Sequence, residues 1–144
     1  MYEEAALIAK QAAESGLKIQ LMGSGGLTNN KYVELGGAAT EGTIMCQTYH
    51  PSSKEPRVAE FTEKYRAAFG HDPDPNAAQT YDAVMVLGAA IEKAGADRAK
   101  VRDALAVTKN YPGVTGIITF DETGDSPRDM MIIQIRKGEY VLFE

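Results

Sequence analysis

Apolar positions along the chain change texture twice, and the changes mark out its elements. In the first stretch Ala5, Ile8, Ala9 and Ala12 recur at helical spacing, and Gly16 stands where such a helix would stop. Glu3 and Glu4 suit the positive start of that helix. Residues 19–22 then read as a short buried strand running into the glycine-rich sequence Gly-Ser-Gly-Gly. A helix is expected to begin near Thr28 or Asn29, to carry Tyr32, Val33 and Leu35, and to end at Gly36-Gly37. Residues 42–48 form a second strand, whose apolar middle predicts burial on both faces, as in a parallel sheet. Tyr49-His50-Pro51-Ser52-Ser53 breaks the pattern and reads as a crossing loop.

A block of helices follows. Val58, Phe61, Tyr65 and Ala68 repeat at three and four residues, with Gly70 as a cap. Asp72-Pro73-Asp74-Pro75 is a stiff turn, and Asn76 is taken as the N-cap of the next helix. Residues 77–91 are apolar nearly all round, which predicts packing on several sides. Asp97 caps a shorter helix with Val101, Ala104 and Leu105. The end of the chain turns to β: residues 113–120 read as one strand and residues 121–125 as a turn. Residues 129–136 and 140–143 read as a local antiparallel hairpin across Lys137-Gly138-Glu139. No internal repeat or low-complexity segment interrupts this order.

Composition narrows the classes. At 144 residues the chain is one domain by size. A net charge of -5 gives no basic face for a nucleic-acid backbone. No apolar run approaches the roughly 18 residues of a membrane span. The single Cys46 excludes an intrachain disulfide, which fits a reducing compartment or a secreted protein with a large core. The opening residues lack a signal-peptide pattern, and no strand feeds the first helix, so the chain is expected to be a piece of something longer.

The richest stretch for chemistry is residues 18–28. A strand ending in Gly-Ser-Gly-Gly brings backbone amides and one hydroxyl to the carboxyl end of a sheet, where ligands sit in open α/β folds. Glycine permits the sharp turn and a close approach to the backbone. Ser24, Gly25 and Gly26 are therefore candidate pocket residues, and an ordinary strand-to-helix turn is the competing reading. Gly23-x-Gly25 is a weak dinucleotide signal, because Thr28 stands where a third glycine is needed. A phosphate-bearing ligand at the 23–28 loop is the alternative functional reading. Cys46 and His50, four residues apart along a strand, lie about 13 Å from each other and cannot act as nucleophile and base. His50 and His71 have no ligand-spaced partners, and the acids of residues 121–129 lack the spacing of a calcium loop. No catalytic residue, metal or cofactor is assigned.

Four segments carry a family resemblance. Residues 4–23, Glu-Ala-Ala-Leu-Ile-Ala-Lys-Gln-Ala-Ala-Glu-Ser-Gly-Leu-Lys-Ile-Gln-Leu-Met-Gly, resemble the second lobe of type I solute-binding proteins. These are the extracytoplasmic receptors of ABC importers, of the leucine/isoleucine/valine-binding kind. Ala-Thr-Glu-Gly-Thr-Ile-Met at 39–45 is similar to that family's next strand. Thr-Tyr-Asp-Ala-Val-Met-Val-Leu-Gly-Ala-Ala-Ile-Glu-Lys-Ala-Gly at 80–95 resembles its most recognisable helix. Val-Thr-Gly-Ile-Ile-Thr-Phe-Asp-Glu-Thr-Gly-Asp at 114–125 resembles its late strand and turn. The four stand in the family's order and cover nearly the whole chain, but only the C-terminal part of a typical member.

The resemblance implies a partial α/β fold of the type I periplasmic-binding-protein class, a three-layer α/β/α lobe fragment with several helices and a C-terminal β-hairpin. The chain is expected to form a single compact unit. Residues 1–48 would be lobe 2-like, 56–113 lobe 1-like helices, and 114–144 hinge and lobe 2-like strands. The implied function is binding of a small amino-acid-like or carboxylate ligand, with the importer's membrane subunits as partners of the intact parent. Periplasmic or extracellular localisation and no catalysis are implied with it. Residue by residue, the family's ammonium-holding acid falls on Gly25, a departure that argues against a standard amino acid. Ser24 and Gly26 flank it, the pocket aromatic falls on Met1 or Tyr2, and a pocket-wall position falls on Asn76. With the first lobe absent, weak binding and a homodimer through the helix at 77–91 are expected.

Overall fold

The computed structural model describes residues 2–143; Met1, one of the two positions considered for the pocket aromatic, lies outside them. The chain divides into two compact units. The first comprises the described residues of 1–47 and 130–144, and the second residues 48–129.

Unit 1 is a sheet covered by small helices. Its helices are α1 (Tyr2–Glu14) and α2 (Asn30–Gly36), and its strands are β1 (Met22–Gly23), β2 (Ile44–Gln47), β5 (Met131–Arg136) and β6 (Glu139–Leu142). Strand order is β1-β2-β5-β6. β1 runs parallel to β2, whereas β5 is antiparallel to both β2 and β6. This corrects the expectation that β2 is buried on both faces. Its side chains alternate, with Met45 and Gln47 buried and Ile44 and Cys46 half-buried. Met45 sits opposite Ile133, and these two join Ile135, Ala6, Leu27 and Tyr32 in one core cluster against α1 and α2.

Two further expectations change in unit 1. The first strand is shorter and wetter than residues 19–22 suggested, because it is an edge: Ile19 is 60% and Met22 74% exposed. In α1 the packed residues are Ala6 and Ala9, while Ile8 is exposed. Small residues win there because α1 lies close to α2. A Cβ on Gly36 would already stand 3.6 Å from the Cβ of Ala6. The hairpin at the end of the chain forms, with a tighter turn than expected: Glu139 pairs with Arg136, and only Lys137 and Gly138, both at positive φ, make the turn.

Unit 2 is mostly helical: α3 (Pro56–Phe69), α4 (Pro75–Ala94) and α5 (Arg98–Ala106), followed by the strands β3 (Tyr111–Gly113) and β4 (Gly116–Ile118). Gly70 ends α3 at φ 76, and Asp97 caps α5 by accepting a bond from the amide of Lys100. The N-cap of α4 is Asp74, not Asn76. The Asp74 carboxylate accepts from the amide of Ala77 at 2.8 Å, and Pro75 takes the first helical position, where a missing N–H costs nothing.

The strand expected over 113–120 is instead the β3–β4 hairpin. The reason is Asp82, buried in α4. Its carboxylate accepts from the amides of Val114 and Thr115, both at 2.8 Å, and from the Thr115 hydroxyl at 2.6 Å. Those bonds hold residues 114–115 in a turn, and Gly116 follows at φ 107. The expectation that α4 packs on several sides is also corrected. Ala78, Asp82, Val86 and Ala90, four residues apart, are buried. Across the helix from them Tyr81, Val84, Met85, Leu87 and Ile91 are 42–62% exposed.

Candidate functional site

The loop after β1 is held from several directions within unit 1. It opens with Ser24, exposed and making no side-chain capping bond, and then forms a 3₁₀ turn over Gly25–Leu27. Leu27 plugs the core, and a Cβ at Gly23 would fall 2.3 Å from Leu27 Cδ1, so a larger residue there would force Leu27 to move. Asn29 caps α2, its side chain accepting from the amide of Lys31 at 2.9 Å.

Two side chains from elsewhere in the sequence fix the turn. The Gln47 amide, at the end of β2, donates to Gly25 O at 2.8 Å and to Thr28 Oγ1 at 2.5 Å. Thr28 Oγ1 in turn donates to Gly25 O at 2.6 Å. From β6, the Tyr140 hydroxyl reaches Leu27 O at 2.7 Å and Asn29 O at 2.8 Å. Burial of that phenol pushes its pKa up to about 12. The loop is thus preorganised, with the Ser24 hydroxyl exposed and the carbonyls of Gly25, Leu27 and Asn29 occupied.

The sequence-derived candidates separate. Ser24, Gly25 and Gly26 are contiguous on the turn, with Ser24 and Gly26 exposed and Gly25 half-buried. Tyr2 belongs to the same unit, half-buried against the core cluster from α1. Asn76 belongs to unit 2 and is exposed in the first turn of α4. Sequence reasoning missed Gln47, Thr28 and Tyr140. A glutamine inside the apolar run Ile44–Gln47 was the available signal for the first; nothing local marked Tyr140.

Other clusters carry structure rather than chemistry. An open groove of about 390 Å³ in unit 2 has Phe61, Tyr65, Tyr81 and Met85 as its floor. The rings there stack at ordinary spacings, Phe61 to Tyr81 at 4.8 Å. Arg66 pairs with Asp72, and that hydrogen-bonded pair holds the Asp72 carboxyl below its usual range. In the 121–125 turn Asp121 accepts from Thr123 and from the amide of Asp125, which lowers its pKa in the same way. His50 bonds Ser52 Oγ at 2.7 Å. Among the described residues no group of three or more His, Cys, Asp or Glu side chains is placed to hold a metal, and no helix is long and apolar enough to cross a membrane.

Comparison with known proteins places this geometry. A family described as periplasmic binding protein matches residues 2–139. The Leu/Ile/Val-binding protein homolog 1 of Brucella suis is 34% identical over 127 residues, covering 87% of this chain and 33% of that protein. The leucine binding protein LivK of Thermotoga maritima superimposes with a TM-score of 0.92 at 34% identity, covering 99% of this chain and 41% of that one. LivJ of Streptococcus pneumoniae, solved in complex with isoleucine, gives a TM-score of 0.88 at 25% identity over 96% of this chain and 40% of that one. The chain therefore spans about a third of the length of the curated relatives it matches. Those relatives are named as binding proteins, and a phosphate-bearing ligand at the 23–28 loop finds no support among them.

Proposed function

The chain belongs to the periplasmic binding protein family, and from that premise we propose that it forms part of the solute receptor of an ABC importer, with Ser24, Gly25 and Gly26 facing the ligand. The ligand class is a small amino-acid-like or carboxylate molecule. The observation that carries the reading is the turn after β1: a preorganised, solvent-facing loop at the carboxyl end of a strand, where open α/β sheets take their ligands. Relatives named for leucine, isoleucine and valine support the ligand size. The receptor works outside the cytoplasm, binds without catalysis and meets the membrane subunits of its importer. Tyr2 and Asn76 are further candidate contacts. Within the 1–48, 56–113 and 114–144 scheme, the first and last segments supply the loop and its props.

Because a receptor of this kind closes on its solute from two sides, the 144-residue chain alone should bind weakly. Calorimetry with leucine, isoleucine and their deaminated analogues tests this. Weak saturable heats, reduced in Ser24→Ala, are expected. Micromolar binding by the chain alone, or heat only with inorganic phosphate, would contradict the reading.

A second copy of the chain is the proposed cover for the exposed face of α4, centred on Tyr81, Met85 and Ile91. Sedimentation at micromolar concentration should give twice the chain mass. A monomer stable to dilution would remove the dimer and leave the ligand assignment standing.

A further inference from the structure

Gln47 does more to the loop than hold it. The residue is only 5% exposed, and its amide nitrogen is engaged at two acceptors on the turn. Gly25 O receives three donors: the Gln47 amide, the Thr28 hydroxyl at 2.6 Å and the Thr28 amide at 3.0 Å. A carbonyl oxygen has two lone pairs, so this one has nothing left for a ligand. The space beside Gly25 is also taken. A Cβ there would stand 2.5 Å from Gln47 Nε2, 2.9 Å from Gln47 Cδ and 3.0 Å from the backbone oxygen of Cys46. No side chain, acidic or otherwise, fits at position 25 while Gln47 keeps its place. Residues 23–28 contain no Asp or Glu, and their one side-chain group free of bonds within the turn is the Ser24 hydroxyl.

We propose that Gln47 is the positioning residue of the Ser24–Gly26 turn and that, by occupying the space beside Gly25, it sets this site to take a carboxylate or neutral carbonyl group and to reject an ammonium group. The inference rests on the reading that this loop meets the ligand. An ammonium brings three N–H donors and a full charge, and needs fixed acceptors when water is removed. The Gly25 carbonyl is filled by Gln47 and Thr28, and with an acid excluded there no negative charge answers the ammonium. A carboxylate asks for donors, and the Ser24 hydroxyl supplies one.

The test uses the chain as it stands, following backbone amide resonances during titration with leucine and with 4-methylpentanoate, the same skeleton without the ammonium. Saturable shifts at Gly25 and Gly26 are expected with 4-methylpentanoate at concentrations about tenfold lower than with leucine, equivalent to about 1.4 kcal/mol. In the double variant Gln47→Ser with Gly25→Asp, which removes the two nearest obstructing atoms, leaves the Cys46 oxygen to give by a few tenths of an ångström and supplies an acid, the preference should reverse. A purely structural Gln47 would change stability and leave the preference alone. Leucine equal to or better than 4-methylpentanoate at the loop of the unmodified chain would overturn this inference and leave the loop as a ligand site. A folded double variant that keeps the original preference would also overturn it. No shift at the loop with either compound would remove the ligand site itself, and this inference with it.

Discussion

The two units place their apolar residues differently. In unit 1 Tyr32, Met45, Ile133 and Ile135 are buried between sheet and helices, Leu7, Ile8, Ile19 and Met22 stay exposed, and Gln47 and Tyr140 bond to the loop. In unit 2 a cluster of Tyr49, Val58, Phe61, Ala78 and Val114 is joined by a buried carboxylate, Asp82, and Tyr81, Val84, Met85, Leu87 and Ile91 of α4 are 42–62% exposed. In the first unit polar groups brace the loop from the sheet. In the second a polar latch, Asp82, shapes the chain after β3. Unit 1 presents a braced loop, whereas unit 2 presents an exposed helix face for which a second copy is the proposed cover.

The largest expected effect is on the latch. Asp82→Ala strands the buried amides of Val114 and Thr115 and removes the acceptor of the Thr115 hydroxyl, which keeps only Arg128, so it should cost about 4 kcal/mol in urea unfolding. A loss under about 1 kcal/mol would deny the latch its role.

A paired substitution sharpens the contrast next. Ile135→Ala in the sealed core should cost about 3 kcal/mol by the cavity it leaves, while Val84→Ala on the open face of α4 should stay within about 0.5 kcal/mol. The small figure applies to the dilute monomer; a larger Val84→Ala cost at micromolar concentration is expected of a dimer through that face, and a cost that stays small there would remove the face from the dimer.

Tyr140→Phe should cost about 1 kcal/mol by releasing Leu27 O and Asn29 O. It also carries a pH signature. The folded pKa of about 12 lies above the reference value of 10.0, so burial favours the neutral phenol. The stability tied to that preference is fully present below pH 10.0 and is lost as pH rises towards about 12. The Phe variant should lack that part of the alkaline loss; an identical alkaline limb would place the phenol in water. Smallest of all, Ser24→Ala should leave stability unchanged within about 0.5 kcal/mol, because its hydroxyl makes no capping bond.

Much of this was legible in sequence, and the failures have physical causes. Helices α3 and α5 and the β5–β6 hairpin followed from spacing, capping residues and turn chemistry, all local signals. The Ser24–Gly26 loop was visible because glycine and a strand end are local too. The β3–β4 turn was not, since its cause sits some thirty residues away in Asp82, and an acid inside an apolar helix does not say what it binds. Ile8 looked like core because periodicity cannot tell a close alanine contact from a looser one. Asn76 was chosen as the cap over Asp74 although Pro75 already marked the first helical residue. Gln47 and Tyr140 reach the loop from strands distant in sequence, so the support of the site was invisible until the sheet order was known.

The most direct test of the ligand assignment is hydrogen–deuterium exchange of the whole chain with and without 4-methylpentanoate near its solubility limit. Slower exchange confined to residues 23–29 is expected, with residues 77–91 of α4 unchanged. Protection centred on the aromatic groove of α3 and α4, with the loop exchanging as before, would contradict it.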